Sequence, residues 1–420
     1  MINIVDKVNC VGCNACVQIC PRDCISMITD EQGFDYPVVD ETLCIHCDAC
    51  ERTCPVINQA SPKRPVKVYA ARNKNDEEQK RSSSGGVFVV LAKQVINEGG
   101  VVFGARYDKD WNVIHDYAET VDGINRFQGS KYVQSHIGSA FIDAGRFLKD
   151  GRKVLFSGTP CQLAALQLFL KKDYGSQLLK VDVVCHGVPS PGIWQEYLRY
   201  LFRPKGDEVG KNTEFPSTLK DLKMPVVTGI SFRDKRISWQ KYGVSIHVVD
   251  RQVDKNSESS STNKNEKSID YFQLHYDNLF MQGFLKDLYL RPSCYSCPAK
   301  SGKSKSDVTL ADFWGIHSSY PEFFKEGCYS LVLADSENGL SAVNSSNIIK
   351  HETDYGIAFK GNRSIEKSAR KPISAYEEFW NSYERDGLKD LPLLIKKMNK
   401  RSLIRRIGSK IKRIIKDKLK

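Results

Sequence analysis

Fourteen cysteines in 420 residues are the chemically richest feature of the sequence, and nine of them stand at positions 10, 13, 16, 20, 24, 44, 47, 50 and 54. They spell Cys10-x2-Cys13-x2-Cys16-x3-Cys20-Pro21 and then Cys44-x2-Cys47-x2-Cys50-x3-Cys54-Pro55. A run of C-x2-C-x2-C-x3-C-P wraps three thiolates around one iron–sulfur cubane and sends the fourth to the neighbouring cubane. One [4Fe–4S] cluster is therefore assigned to Cys10, Cys13, Cys16 and Cys54, and a second to Cys44, Cys47, Cys50 and Cys20. Thiolate ligands also suit zinc, but a zinc site takes four ligands in two pairs and leaves the doubled run and its trailing prolines unexplained. Disulfides need an oxidising compartment. The opening MINIVDKVNC has neither the basic flank nor the apolar segment of a secretory leader, so a cytoplasmic location is expected.

The six cysteines outside the two runs are scattered. Cys24 fits neither run and reads as a small buried hydrophobe, and Cys328 likewise as a packed residue. Cys294-x2-Cys297 is the only late pair; alone it suits a redox dithiol, half a zinc site or half a cubane site. Cys161 and Cys185 each follow a short apolar run, in Phe156-Ser157-Gly158-Thr159-Pro160-Cys161 and Val183-Val184-Cys185-His186-Gly187. Together with the pair they supply the four thiolates of a third [4Fe–4S] cluster, which is the expectation for Cys161, Cys185, Cys294 and Cys297. His186 beside them is a candidate proton relay, and equally a hydrogen-bonded structural histidine.

Three other segments carry polar chemistry. Ser82-Ser83-Ser84-Gly85-Gly86 precedes a helical pattern, where exposed N–H groups and the helix dipole favour an anion such as a flavin pyrophosphate. The same composition is also how many helices begin. Gln128-Gly129-Ser130-Lys131-Tyr132 packs polar groups, a cation and an aromatic into one turn. The dinucleotide fingerprint G-x-G-x-x-G and the Walker pattern are both absent from the sequence.

These residues need elements to position them. Met27-Ile28 and Phe34–Val39 read as two short strands around a turn, an α+β arrangement that depends on its clusters because so short a segment has little core. Residues 59–65, with two prolines and two charges, read as a linker. From 66 onward strands and helices alternate: strands at 66–72, 99–107, 153–157 and 179–184, helices at 86–97, 139–149 and 162–170, an α/β body. The expected organisation is an iron–sulfur domain at 1–58, a linker at 59–65, the body in two parts at 66–150 and 151–320, and a helical extension at 321–400. Mobile insertions are expected near 203–223 and 255–268, the latter devoid of apolar residues.

The net charge of +12 is local, since Lys400–Lys420 alone contributes ten Lys/Arg against one Asp. Residues 401–420 place Leu403, Ile404, Ile407, Ile411, Ile414, Ile415 and Leu419 on one arc of a helix and basic residues on the remainder. Such a basic amphipathic helix suits the surface of an anionic membrane, apolar face down, which makes the protein peripheral to the inner face; docking on the protein's own core or on a partner is the other reading. Without aromatic interleaving the tail gives no case for specific nucleic-acid binding.

Read in order, SSSGGVF, QGSKYVQS, SGTPCQLAAL, VVCHGVPSP, ISFRDK and CYSCPAK…DVTLADFWG resemble the coenzyme F-420 hydrogenase/dehydrogenase beta-subunit family, here with a two-cluster ferredoxin domain fused ahead. The resemblance covers roughly residues 66–316 and implies a flavoprotein oxidoreductase holding FAD and iron–sulfur clusters. Electrons would pass between the clusters and a hydride carrier, a deazaflavin or another small metabolite. By motif, Ser83, Ser84, Gly85 and Gly86 would face the flavin or its phosphates. Gly129, Ser130 and Lys131 would line the isoalloxazine side, Lys131 favouring the reduced anionic ring, and Gly158 and Thr159 would touch the cofactor beside Cys161. A non-catalytic electron-transfer subunit that serves a partner enzyme, for instance in surface-polysaccharide metabolism, is the alternative.

Overall fold

The computed structural model describes residues 2, 6–202, 225–251, 266–324 and 328–400. The strands in chain order are β1 (Ile25–Thr29), β2 (Asp35–Val39), β3 (Lys67–Asn73), β4 (Val101–Tyr107), β5 (Val113–Ala118), β6 (Val154–Gly158), β7 (Leu178–Val183), β8 (Pro225–Asp234), β9 (Gly243–Arg251), β10 (Glu266–Leu274), β11 (Val308–Asp312), β12 (Ser330–Ala334) and β13 (Ile348–Glu352). Eight of them form one mixed sheet in the order β13-β3-β12-β11-β7-β6-β4-β5. Its centre, β11-β7-β6-β4, is parallel, and both flanks are antiparallel.

Side-chain alternation divides this sheet into two faces. Val102, Leu155 and Leu179 point to one core, shared with Val87, Leu91 and Val95 of the helix Val87–Asn97. Val101, Phe103, Val154 and Phe156 point to the other, against Phe141 and Phe147 of the helix Ala140–Lys149 and Leu163 and Leu166 of the helix Pro160–Leu170. That second core also contains Val11, Cys13 and Ala15. The cysteine-rich segment is thus packed into the body, with the described residues of 1–193, 231–242 and 290–369 forming one compact unit. The second unit holds the described residues of 194–230, 243–289 and 370–400. It contains the antiparallel β9–β10 pair and an aromatic core in which Trp194 and Tyr197 meet Phe280, and Tyr289 meets Phe379.

Several expectations hold. β1 and β2 pair antiparallel around a turn, and the strands and helices expected between 66 and 184 all form within two or three residues of their expected ends. Others change. The linker at 59–65 is strapped to the body: Lys63 N donates to Ser301 O at 2.8 Å, Lys63 Nζ to Asp335 O at 2.7 Å, and Arg64 pairs with Glu366. The two parts of the body, 66–150 and 151–320, share one sheet, since β4 and β6 pair across residue 150. The helical extension at 321–400 is corrected by β12, which lies between β3 and β11, and by β13 on the sheet edge. The apolar run of β12 is short enough to suit either a buried strand or a helix. Glu266–Ser268, expected in a mobile loop, begin β10. The rest of that loop, the insertion at 203–223 and the amphipathic tail at 401–420 lie outside the described residues. No helix among the described residues is long and apolar enough to cross a membrane.

Candidate redox centre

The two cysteine runs fold as near-copies. Asn14 (φ 60°) and Asp48 (φ 56°), both left-handed, turn the chain sharply into the one-turn helices Ala15–Gln18 and Ala49–Arg52, after which Cys20 and Cys54 follow. Two cavities result. Cys10, Cys13, Cys16 and Cys54 line one; Cys44, Cys47, Cys50 and Cys20 line the other. In each case the fourth cysteine joins the opposite run, as its spacing predicts. Burial and then the neighbouring thiols push Cys16 up to about 12, and raise Cys13 as well. Loading a cluster onto such thiols would release protons. The donor set is all sulfur in both cavities, which suits iron–sulfur clusters. Among the described residues no group of three or more His, Cys, Asp or Glu is set to grip a single metal ion; a cubane gives each thiolate its own iron. Cys24 is buried as expected and also lines the second cavity, with Sγ 3.4 Å from Cys20 Sγ.

The scattered cysteines converge at the carboxyl ends of the neighbouring parallel strands β6 and β7. Cys161 stands in the first turn of the helix Pro160–Leu170, which a capping box between Thr159 and Gln162 begins. Thr159 Oγ1 lies 3.2 Å from Cys161 Sγ. Cys185 follows β7, and the turn Pro292–Ser296 carries Cys294 beside Cys297. Val188 N donates to Cys294 Sγ at 3.4 Å, and at Gly187 a Cβ would stand 3.3 Å from Cys294 Cβ. Burial first, then Cys297 and Cys185, push Cys161 up to about 12. Burial and the Cys297 thiol raise Cys185 to about 11, against the Lys300 ammonium. Cys294 is raised by burial and by Cys185, Cys161 and Cys297. Four half-buried thiols that lie close enough to act on one another are a donor set of the kind an iron–sulfur cluster takes.

Behind Cys185 lies a small polar cavity lined by Asp182, Asp335, Lys63 and Lys300. Thr309 Oγ1 donates to Asp335 Oδ2 at 2.7 Å, while Asp182 Oδ1 is buried without a partner. Burial and the Asp182 carboxylate push Asp335 up to about 8; burial raises Asp182 to about 6. His186 is half-buried on the same loop as Cys185 and is engaged in contacts of its own.

A second cluster of motif residues forms around the 129–132 turn. Ser83 Oγ accepts from Ser130 N at 2.7 Å and Ser130 Oγ at 3.0 Å. Ser84 Oγ donates to Tyr329 O, and Gly85 N to Ser330 Oγ; a Cβ on Gly85 would stand 2.5 Å from Ala71 O, so the chain there needs glycine. Gly86 adopts φ 80° at the start of the helix Val87–Asn97. Lys131 Nζ donates to the carbonyls of Arg126, Gln128 and Gly129 at 2.9–3.1 Å, a staple that closes its own loop, although burial pulls the ammonium down to about 7. Gly158 and Thr159 stand beside Cys161, in the capping turn.

Residues without an assigned role in the sequence complete this cluster. Arg233 is 4% exposed, pairs with Asp312 at 2.8 Å and stacks on Tyr242 at 3.8 Å. Trp239 stacks on Trp314 at 4.9 Å and donates Nε1 to Asp312 Oδ1. Lys235 Nζ donates to Gln79 O and to Cys328 Sγ, which places Cys328 beside Ser84. Three buried polar atoms here have no partner: Arg233 Nε, Tyr107 Oη and His115 Nδ1. Arg233 and Asp312 lie in the quoted ISFRDK and DFWG strings, so a signal was present; His115 carried none.

Residues 151–351 match the family model for the C terminus of the beta subunit of coenzyme F420 hydrogenase/dehydrogenase, and residues 9–58 match the model for a 4Fe-4S dicluster domain. No curated protein matches the chain. Among solved structures, a chain of the F420-reducing [NiFe] hydrogenase complex from Methanosarcina barkeri is similar, at 18% identity over 74% of this chain and 98% of that one, with a TM-score of 0.43.

Proposed function

The chain belongs to the coenzyme F420 hydrogenase/dehydrogenase beta-subunit family, with a 4Fe-4S dicluster domain at its N-terminal side, and from that premise we propose that it is an FAD-dependent iron–sulfur oxidoreductase. It passes electrons between its clusters and a hydride carrier, a deazaflavin or another small metabolite, or a redox partner protein. The observation that carries the reading is the convergence of Cys161, Cys185, Cys294 and Cys297 within the unit that also holds the N-terminal cysteines. When bound, clusters supply one-electron steps and a flavin supplies exchange with two-electron carriers.

The residues of the chain do the rest. Cys10, Cys13, Cys16 and Cys54, then Cys44, Cys47, Cys50 and Cys20, would hold two clusters, and the scattered quartet a third. The orphaned Arg233 Nε, Tyr107 Oη and His115 Nδ1 are donors or acceptors that a polar cofactor beside the 129–132 turn would satisfy. Gly86, Gly129 and Ser130 would let the chain approach the ring system. Lys131 would act through the loop it closes.

One observation favours a flavin-free relay subunit: Ser83, Ser130 and Lys131 already spend their polar atoms on one another or on nearby carbonyls. Anaerobic purification followed by iron and flavin quantitation separates the two. The enzyme reading expects about twelve irons and one flavin per chain, with turnover of a hydride donor. About twelve irons without flavin supports the relay, and an iron-free chain removes both.

A further inference from the structure

Arg291 is 1% exposed, yet among the described residues it forms no ion pair with a carboxylate. Its guanidinium is spent on neutral groups. Nε donates to Cys10 O at 2.6 Å, Nη1 to Gln134 Oε1 at 3.1 Å and Nη2 to Asp35 O at 2.8 Å. The rings of Tyr36 and Phe34 lie 4.4 and 5.4 Å from it. The Asp35 carboxylate turns instead to His136 Nδ1 at 2.9 Å and the Thr29 hydroxyl at 2.6 Å. The Arg291 backbone faces the other way. Its carbonyl accepts from Cys294 N at 2.8 Å, and its N–H donates to Val188 O at 2.9 Å, three residues after Cys185. Gln134 doubles the link, donating Nε2 to Val11 O at 3.1 Å and its backbone N–H to Pro189 O at 3.0 Å. Gly12 leaves room for the guanidinium, since a Cβ there would stand 2.6 Å from Nη1.

One residue therefore holds a cysteine of the first N-terminal site on its side chain and a cysteine of the scattered quartet on its main chain. We propose that Arg291 is a positioning residue that joins these two sites: it locks the Cys10 loop against the Cys294 turn and sets a buried positive charge between them that favours the reduced state of a cluster on either side. A buried cation favours negative charge beside it. Reduction of a thiolate-held cluster on either side would add one more negative charge, and at short range in a low dielectric the cation biases the redox equilibrium toward that state. Only a forked side chain can reach the carbonyls of Cys10 and Asp35 together. The part that concerns the quartet rests on the functional reading above; the part that concerns Cys10 does not.

The test uses the full chain, purified without oxygen, as Arg291→Met and Arg291→Lys. Redox titrations followed by electron paramagnetic resonance give the cluster equilibria, and hydrogen exchange gives the amides of residues 10–18. Arg291→Met is expected to shift the reduction equilibrium of the Cys10-side cluster at least about tenfold toward the oxidised form, about 59 mV for a one-electron couple. Arg291→Lys keeps the charge and is expected to hold that equilibrium within about threefold, while exchange at 10–18 speeds up at least about tenfold in both variants. An unshifted equilibrium in Arg291→Met, or unchanged exchange in Arg291→Lys, overturns the proposal. If Arg291→Met loses its iron on purification, exchange in Arg291→Lys decides alone. About eight irons in the unaltered chain would fail the quartet reading, and the Cys10-side measurements would still decide the role of Arg291.

Discussion

The N-terminal cysteines and the scattered quartet present the same four sulfurs by opposite means. In the first, the thiols are neighbours in sequence, and left-handed turns at Asn14 and Asp48 are enough to gather three at a time. In the second, the thiols of residues 161, 185, 294 and 297 meet only because β6 and β7 are adjacent and parallel and a distant turn returns to their ends. A contiguous site is written locally and would borrow stability from a bound metal; a dispersed site is written by the sheet and inherits stability from it.

Metal removal should break this contrast most visibly. Chelating the iron is expected to speed exchange at β1, β2 and the 44–54 segment by about two orders of magnitude or more, because the small clusters around Phe34 and Cys24 offer little core of their own. The central strands β6 and β7 should keep their protection, read by mass spectrometry. Equal loss in both regions would erase the distinction. Next, Cys161→Ser should remove about a third of the iron and leave the N-terminal clusters' spectrum in place, checked by iron assay and absorbance.

A smaller effect separates two glycines. Gly12→Ala, at φ +64° and with its Cβ driven into Arg291, should cost about 2–4 kcal/mol. Gly129→Ala, at φ +81° with nothing within 4 Å of its Cβ, should cost about 1 kcal/mol. Denaturant melts of the loaded protein compare them. The smallest effect is the pH dependence of the sheet side. Asp335 has a folded pKa of about 8, raised by burial and then by Asp182, so the folded state holds a proton that the unfolded chain releases near pH 4. Its contribution to stability is therefore complete below pH 4 and lost as pH rises through about 8. Asp335→Asn should flatten that decline, measured as the melting midpoint at pH 5 against pH 8.5.

The sequence made the contiguous site legible to the level of which cysteines share each cavity, because spacing in a turn decides which thiols face one another. It also exposed β3, β4, β6 and β7, whose apolar runs alternate with helical segments, but not β5. β12 was not readable: its five residues are buried on both faces, and without alternation a run of that length fits helix or strand equally. Lys131 shows a different limit. Its neighbourhood of Gly129 and Ser130 suggested a cation facing a ligand, and only coordinates reveal that three carbonyls of its own loop claim the ammonium. Arg291 carried no pattern, since two of the three groups it donates to are main-chain oxygens that any sequence possesses.

Among the described residues β3 has as its neighbours only β12 and β13. On a ribosome, residues 67–73 emerge about 250 residues before the partner at 330–334, a wait of roughly ten to fifty seconds at ordinary elongation rates. Through that interval both cysteine runs are already outside the exit tunnel while the strand beside them stays unpaired. Nascent-chain protection against pairing with strangers, and iron delivery to the thiols, thus fall in the same window of synthesis.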